Sequence, residues 1–166
     1  MTGLSAERVV KLDDYLDLAK VQIDFDGPVA GLRPLEGEVS ALMEQLAKLP
    51  PQVRAYRREE LPAHLHVGDG PRVPPVWLLP AAGWHAVRAA AFNAKKDKYM
   101  KGEHGYDPTL PDMQGIFIVH GPAFKNDGRE IPPTENIHIY NLLCAAAGLQ
   151  AAANDGDDRL VRAFLR

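Results

Sequence analysis

The chain has 166 residues, 46% of them hydrophobic and 25% charged, which is the composition of an ordinary globular protein with a buried core. Its net charge of −3 and pI near 6.1 argue against a surface for nucleic acid or anionic membrane, because such surfaces need a basic face. The single cysteine, Cys144, excludes an internal disulfide and is expected to pack as a small hydrophobe in a helix. No apolar run reaches the roughly 18 residues of a membrane span, and the first residues lack the pattern of an export signal.

The first half of the chain predicts a small lobe of strands with one helix. Val21–Phe25 and Pro28–Pro34 are extended pieces joined by a tight turn. A helix follows, with apolar side chains at spacings of three and four: Val39, Leu42, Met43, Leu46 and Leu49. Strands around 53–56 and 76–79 complete the lobe. We therefore expect a small α+β sandwich with the helix packed on one face of a sheet.

The second half contains the strongest apolar run of the chain, Ile116–Val119. A continuous run of this kind predicts a strand that is covered on both faces, as in a parallel sheet. A helix ending at Gly148 follows, with one apolar side formed by Ile139, Leu142, Leu143 and Ala146. The polar Lys95–Lys101 segment is predicted to be exposed. Since few other strands are available here, either the small lobe folds against Ile116–Val119 or its partner strands lie outside the chain.

The loop around His104 has the features of a segment that aims one side chain at a ligand. Gly102 and Gly105 flank the histidine closely, and Asp107 follows three residues later. Glycines permit unusual backbone angles and a close approach of other groups. The spacing alone does not identify a chemistry for the imidazole.

The other histidines leave several alternatives open. His64 and His66 form a His-x-His pair, which binds metal when both rings lie on one face of a strand and is otherwise a solvated pair in a turn. A separate metal site that also includes His85 is a further alternative, although His85 is expected on the lobe surface. His120 ends the apolar run, where α/β sheets place ligands, so it is a candidate pocket residue or a structural histidine. We assign no role to His138.

The motifs GEHGYD and PDM, followed by an apolar strand that ends in HGPAF, resemble the C-terminal signature of the type I phosphodiesterase/nucleotide pyrophosphatase family, within the alkaline phosphatase superfamily. Consecutive pieces of the same region are resembled by KLDDYLDL, GPVAGLRP, YRREELPAHLHVGDGPRVPP and ENIHIYNLLCAAAGLQAAANDG. The resemblance covers nearly the whole chain. It implies an α/β (α+β) fold, the C-terminal part of an alkaline-phosphatase-like fold. Residues 1–20 and 88–166 would be a remnant of the α/β catalytic core, and residues 21–87 a small ferredoxin-like α+β lobe.

The resemblance also implies a hydrolase with two zinc ions. In that family a threonine attacks phosphorus, while the metal ions hold the nucleophile and the phosphate oxygens. The family residue that matches His104 is a zinc ligand, in a loop where Gly102 and Gly105 provide room. Asp107 is interpreted as support for the loop rather than as a ligand. The family often has asparagine after this acid, whereas the present chain has Pro108.

The remaining catalytic groups of the family precede the matched region. They are the nucleophilic threonine, the first metal aspartate, an Asp-x-x-x-His pair and an Asp-His-Gly-Met motif. None of Thr2, Thr109 or Thr134 lies in the nucleophile's context, so we assign no catalytic residue in this chain and at most one zinc ligand. A zinc site needs three or four protein ligands. We therefore expect the 166 residues to be inactive alone.

The function that the resemblance implies is hydrolysis of phosphodiester or pyrophosphate bonds in a nucleotide or similar small phosphoester, with this chain as an incomplete portion of the enzyme. The alternative is a non-catalytic module that self-associates as a homodimer or complements a separate N-terminal piece, since an unpaired strand recruits partners. The compartment is not predicted, because family members are often periplasmic or extracellular and this chain shows no export signal.

Overall fold

The structure, a computed structural model, describes residues 1–95 and 98–166, which divide into two units, Met1–Gln114 and Gly115–Arg166. Lys96 and Asp97, which belong to the Lys95–Lys101 segment that we predicted to be exposed, lie outside the described residues. None of the helices in the described ranges is long and apolar enough to cross a membrane.

The elements follow one another as short strands, short helices and single 3-10 turns. The strands are β1 (Thr2–Gly3), β2 (Val9–Lys11), β3 (Val21–Phe25), β4 (Ala30–Pro34), β5 (Val53–Arg57), β6 (Val76–Pro80), β7 (His85–Val87) and β8 (Gly102–Glu103). The α-helices are α1 (Val39–Leu46), α2 (Ala89–Asn93), α3 (Ile139–Ala146) and α4 (Arg159–Phe164). The 3-10 turns are Leu12–Asp14, Arg58–Glu60, Ala63–Leu65, Pro111–Met113 and Asn136–His138.

A four-stranded antiparallel sheet in the order β3-β4-β6-β5 is the centre of the first unit. Strand β6 alternates buried and half-buried side chains, and Val21 of β3 and Val53 of β5 are also buried. Helix α1 contributes Leu42 and Leu46 to the same core cluster as Leu32 and Leu78 of the sheet. The predicted order of strand, strand, helix, strand and strand is confirmed. It could be predicted because the period of the apolar residues changes from two to about 3.6 and back along this segment.

Two further strand pairs attach the ends of the first unit to this sheet region. Strand β2 runs parallel to β7, with Val9 opposite His85, and β1 runs antiparallel to β8. Backbone hydrogen bonds in both directions between Gly27 and Ala86, each of 2.9 Å, link β7 to the turn before β4. The architecture is a mixed α/β fold of small sheets and few helices.

The second unit is organised around a small helical core. Leu142 of α3 packs with Leu160 and Phe164 of α4, and all three side chains are buried. Cys144 is buried in α3, as predicted. The prediction that Leu143 lies on the same apolar side as Leu142 is wrong, since Leu143 is 60% exposed.

The prediction of a strand covered on both faces at Ile116–Val119 is also wrong. The segment has no assigned strand, and Ile116 and Ile118 are 92% and 81% exposed. A strand needs neighbouring strands for its backbone groups, and none of the described residues pairs with this segment.

A tight backbone contact at Gly156 fixes the turn that leads into α4. A Cβ atom at this position would lie 2.3 Å from the carbonyl oxygen of Ile137 and 2.8 Å from Oδ1 of Asn154. That same Oδ1 accepts a 2.8 Å hydrogen bond from the backbone N–H of Gly156. Only glycine therefore fits here without a shift of the backbone.

We predict that Gly156→Ala destabilises the second unit by about 1–3 kcal/mol, because the added methyl group must displace main-chain atoms. Far-UV circular dichroism during urea unfolding measures the loss. Both tryptophans of the chain, Trp77 and Trp84, belong to the first unit, so their fluorescence transition should not move. Gly68→Ala is the matched control, since no atom lies within 4 Å of its added Cβ. Equal stability of the two variants would contradict the prediction.

Candidate functional site

The loop that carries His104 begins at a strand pair. Strand β8 immediately precedes the histidine and pairs with β1, where Gly3 lies opposite Gly102. The backbone N–H of Leu4 extends this pairing with a 3.0 Å hydrogen bond to the carbonyl of Lys101. The start of the loop is therefore held by the first residues of the chain.

The chain then turns sharply, and the imidazole of His104 points to solvent. Gly105 has φ +95°, in the left-handed region, and its Cα lies close to the ring of Pro28, because a Cβ there would be 3.2 Å from Cγ. The His104 side chain is 79% exposed. Its backbone N–H donates a 3.1 Å hydrogen bond to the Glu103 carboxylate, which lies 3.9 Å from Nε2 of the ring.

Asp107 links this loop to a separate 3-10 turn through His64. The Nε2 atom of His64 lies 3.0 and 3.1 Å from the two carboxylate oxygens. Thr109 donates to Oδ1 from its backbone N–H at 2.9 Å and from its hydroxyl at 2.6 Å. Partial burial works to raise the pKa of Asp107, but the hydrogen bonds from Thr109 and His64 outweigh it, and the net pKa is lowered.

A buried group of rings lies behind the loop. Tyr106 is 5% exposed, and its hydroxyl donates a 3.0 Å hydrogen bond to the carbonyl of Trp84. Burial, together with the charge of Glu103, raises the pKa of Tyr106 to about 12. Tyr99 approaches the same group, with its ring edge-on to that of His85. The pKa of the Tyr99 hydroxyl is raised, first by burial.

The expectation that His85 lies on the lobe surface is wrong. The residue is 3% exposed, and Nδ1 lies 2.8 Å from the Tyr99 hydroxyl, while Nε2 has no hydrogen-bond partner among the described residues. Burial lowers the pKa of His85, against the opposing charges of Glu103 and Asp26. The apolar neighbours Trp84, Ala86 and Val87 were the sequence signal for this burial, since β7 is covered on both faces.

The remaining histidines do not assemble into one site. His66 ends the Ala63–Leu65 turn in a left-handed conformation with φ 49°, and His64 is committed to Asp107. Within residues 1–95 and 98–166, no group of three or more His, Cys, Asp or Glu side chains is arranged to hold a metal ion. The structure therefore does not bring His64, His66 and His85 together. The described donor set does not by itself fit a zinc ion, because His104 offers a single imidazole.

In the second unit, His120 lines a cavity of about 360 Å³ together with Lys125 and Arg129. The Lys125 ammonium donates to the carbonyls of Arg162 and Ala163, and Arg129 pairs with Asp127 at 2.6 Å. A role of His120 in ligand binding stays a prediction.

Sequence reasoning did not find the structural role of His138. Its side chain is 3% exposed, and Nδ1 accepts a 3.0 Å hydrogen bond from the backbone N–H of Asp157. The contact joins the start of α3 to the loop before α4. Hydrogen bonds from Arg159 are the main reason that the pKa of Asp157 is lowered, to about 2.

Comparisons with known proteins identify close relatives of most of this chain. The sequence model of the family described as type I phosphodiesterase / nucleotide pyrophosphatase matches residues 1–107. Human ectonucleotide pyrophosphatase/phosphodiesterase family member 5 is 34% identical over 157 residues, which are 94% of this chain and 31% of that protein. Bovine bis(5'-adenosyl)-triphosphatase ENPP4 is 31% identical over 156 residues, 94% of this chain and 33% of that protein. The chain thus spans about a third of the length of these curated relatives.

Solved structures of relatives share the fold described above. Human ectonucleotide pyrophosphatase/phosphodiesterase 5 superimposes with a TM-score of 0.86 at 31% identity, over 99% of this chain and 42% of that one. The murine protein, in an inactive form in complex with AMP, has a TM-score of 0.85 at 32% identity, with the same two coverages.

We predict that His64→Ala raises the pKa of Asp107 toward its ordinary value, because one of its hydrogen-bond donors is lost. Carbon-13 NMR of the carboxyl group measures the shift, and Asp127, which pairs with Arg129, serves as an internal control.

The lowered pKa of Asp107 stabilises the fold at pH values above the ordinary carboxyl pKa of 3.8. This contribution is lost as the pH falls through the folded-state pKa. Because both partners are more than a third exposed, the loss in stability should be at most about 1 kcal/mol. An unchanged Asp107 titration would contradict the prediction.

We predict that Tyr106→Phe destabilises the first unit by about 1 kcal/mol, because the carbonyl of Trp84 loses its hydrogen-bond donor. Tryptophan fluorescence during urea unfolding reports this change. Tyr140→Phe is the control, since Tyr140 belongs to the second unit and its hydroxyl oxygen accepts from the backbone N–H of Ala152. If both variants move the fluorescence transition equally, the role given to Tyr106 is wrong.

Proposed function

Because the chain belongs to the type I phosphodiesterase / nucleotide pyrophosphatase family, we propose that it forms the C-terminal portion of a zinc-dependent enzyme of that family. The reaction is the hydrolysis of phosphodiester or pyrophosphate bonds in a nucleotide or a similar small phosphoester. His104 supplies one metal ligand to this enzyme, and the nucleophile and other ligands come from polypeptide that the chain does not span. The 166 residues alone are inactive.

The observation that carries this proposal is that the His104 loop is anchored at both ends while the His104 side chain is exposed. Its loop is fixed on one side by the β1-β8 pair and on the other by the Asp107–His64 contact, yet the imidazole itself is 79% exposed. A loop with a fixed backbone and an exposed imidazole supports the proposal that His104 binds a metal ion. Metal sites depend on surrounding groups that orient the side chains bound to the metal.

Two features of the relatives support the proposed substrate class. The bovine relative is named as a bis(5'-adenosyl)-triphosphatase, and the inactive murine neighbour was solved in complex with AMP. Both names describe a nucleotide ligand. We therefore propose nucleotides as the substrate of the complete enzyme to which this chain belongs.

The test compares the chain alone with a chimera. In the chimera, this chain replaces the matched third of bovine bis(5'-adenosyl)-triphosphatase ENPP4. We expect the chain alone not to hydrolyse bis-p-nitrophenyl phosphate, and the chimera to hydrolyse both this compound and bis(5'-adenosyl) triphosphate when zinc is present. In the chimera, His104→Ala should lower kcat/KM on the order of 100-fold, since loss of a ligand weakens metal binding at least as much as loss of a group that orients one.

Lys101→Ala in the same chimera is the matched control, because Lys101 is exposed in the same loop. Its backbone carbonyl, which accepts from Leu4, is retained. Zinc-dependent turnover by the isolated 166 residues, abolished by His104→Ala, would reject the proposal of an incomplete portion. An active chimera that tolerates His104→Ala would reject the role of the histidine.

A second candidate function is that of a non-catalytic module that self-associates. The observation that favours it is the exposed apolar surface at Ile116 and Ile118 in the second unit. Light scattering of the purified chain decides this alternative, because a monomer at high concentration would exclude the homodimer.

A further inference from the structure

The cavity of the second unit is framed by main-chain hydrogen bonds. Its volume is about 360 Å³, and sites for small molecules begin at roughly 300 Å³. The backbone N–H of Lys125 donates to the carbonyl of Phe164 at 2.8 Å, and that of Arg166 donates to the carbonyl of Ala123 at 3.2 Å. These bonds tie residues 121–125 to the end of α4, so the cavity is part of the folded unit.

The charged side chains that line this cavity are mainly cationic. Lys125, Arg129 and Arg166 carry three positive charges, and Asp127 carries one negative charge. The side-chain hydrogen bond from Arg129 is the first reason that the pKa of Asp127 is lowered, so this carboxylate is charged and paired at neutral pH. The excess of two positive charges contrasts with the net charge of −3 of the whole chain. A concentration of positive charge in a cavity attracts anions.

Lys125 anchors one wall of the cavity and adds a charge to it. Its ammonium group donates to the carbonyls of Arg162 and Ala163 in the last turn of α4, at 2.9 and 3.1 Å. An ammonium group has three N–H donors, so these contacts leave one donor for another acceptor.

The two arginines keep more of their donors. Arg166 uses Nε for a 2.8 Å hydrogen bond to the carbonyl of Phe124, and Arg129 uses Nε and one terminal nitrogen for Asp127. A guanidinium group has five N–H donors. Within the described contacts of this unit, the other guanidinium N–H groups of both arginines have no acceptor.

The lining also contains apolar surface next to these cations. Val119, Pro122 and Phe164 line the cavity, and Phe164 belongs to the core of the second unit. His120 and Asn126 add polar side chains that can form hydrogen bonds. A cavity of this composition suits a small molecule with an anionic group and an apolar body.

A phosphate monoester is the anion that this combination fits best. Guanidinium groups present parallel N–H donors whose spacing matches phosphate oxygens, and such charged hydrogen bonds are about twice as strong as neutral ones. A phosphate monoester carries a charge of about −1.5 to −2 at pH 7 and so balances an excess of two positive charges. A carboxylate supplies only half of that charge.

We propose that this cavity binds a small phosphate monoester, with Arg129 and Arg166 donating to the phosphate and Phe164 contacting the organic group. The site goes beyond the proposed hydrolysis, since it uses neither His104 nor a metal ion. Failure of the chimera to hydrolyse its substrates would reject the proposed function and leave this site as it stands.

Titration of the 166-residue chain with phenyl phosphate, followed by nitrogen-15 NMR in metal-free buffer, tests the proposal. All samples carry two additional glycines after Arg166, so that the terminal carboxylate of the test protein does not lie at the cavity. We expect saturable shifts of the amides of residues 119–129 and 164–166, and no comparable shifts in residues 1–114. Benzoate and phenol should bind at least about tenfold more weakly, because they lack the dianion.

Substitution of one arginine of the cavity provides the specific readout, and the chain offers a matched control. Arg159 pairs with Asp157 as Arg129 pairs with Asp127, in the same unit and at the same spacing, but Arg159 does not line the cavity. We expect Arg129→Gln to weaken the binding of phenyl phosphate at least about tenfold, and Arg159→Gln to change it by less than about twofold. Arg166→Gln is a second variant with the expected effect of Arg129→Gln, and circular dichroism should show that all three variants are folded.

Four results would overturn the proposal. They are shifts that do not saturate, shifts that spread over both units, equal binding of benzoate and phenyl phosphate, and equal effects of Arg129→Gln and Arg159→Gln. Inorganic phosphate is the remaining probe. It should compete with phenyl phosphate but bind more weakly, because it makes no contact with the apolar wall. Equal affinity for the two would reject the monoester in favour of the free ion.

Discussion

The backbone hydrogen-bonding requirement of one segment, Gly115–Val119, determines how the second unit of this protein is understood. The ring of Phe117 lies edge-on to that of Phe164 although Phe117 is 37% exposed, and Val119 packs against the core of the second unit. Its amide and carbonyl groups have no partner among the residues that the structure describes. A β-strand is stable only when these groups are paired, which is why the apolar segment has no strand conformation in this structure.

The first unit presents the complementary case, in which local contacts are sufficient. Its sheet and α1 share one apolar core, and two smaller strand pairs connect β7 and β8 to the chain start. This framework brings residues that are distant in the sequence, such as His64 and Asp107, into direct contact. The result is a loop with little freedom that displays a single exposed imidazole, His104.

The elements that could be predicted from the sequence were those whose signal is local. The apolar spacing from Val39 to Leu46 and the alternation from Val21 to Phe25 depend only on which face meets the core. The helix and the strand predicted from these patterns were both correct. The strand predicted at Ile116–Val119 is not formed, because strand formation depends on neighbours that the segment itself does not specify. The prediction for Leu143 was wrong for a related reason. Helix α3 is short, and the core that it forms with α4 includes Ile139 and Leu142 but not Leu143.

In the candidate site, too, features with a local sequence signal could be predicted and features that depend on tertiary contacts could not. The exposed position of His104 follows from its own flanking glycines, whereas the burial of His85 depends on Tyr99, fourteen residues further along the chain. The partnership of His64 with Asp107 spans 43 residues and has no local sequence signal. In each case the missing information was a tertiary contact rather than a residue preference.

The buried imidazole of His85 makes the first unit sensitive to acid. Its folded-state pKa lies below the ordinary value of 6.5, so the unfolded chain takes up the proton more readily than the folded one. The folded form is therefore favoured fully above about pH 6.5 and progressively less as the solution becomes more acidic, until the lowered pKa is passed. Because β7 is paired with β2 and linked to the turn at Gly27, a charged ring at this position would loosen the chain start and the His104 loop together.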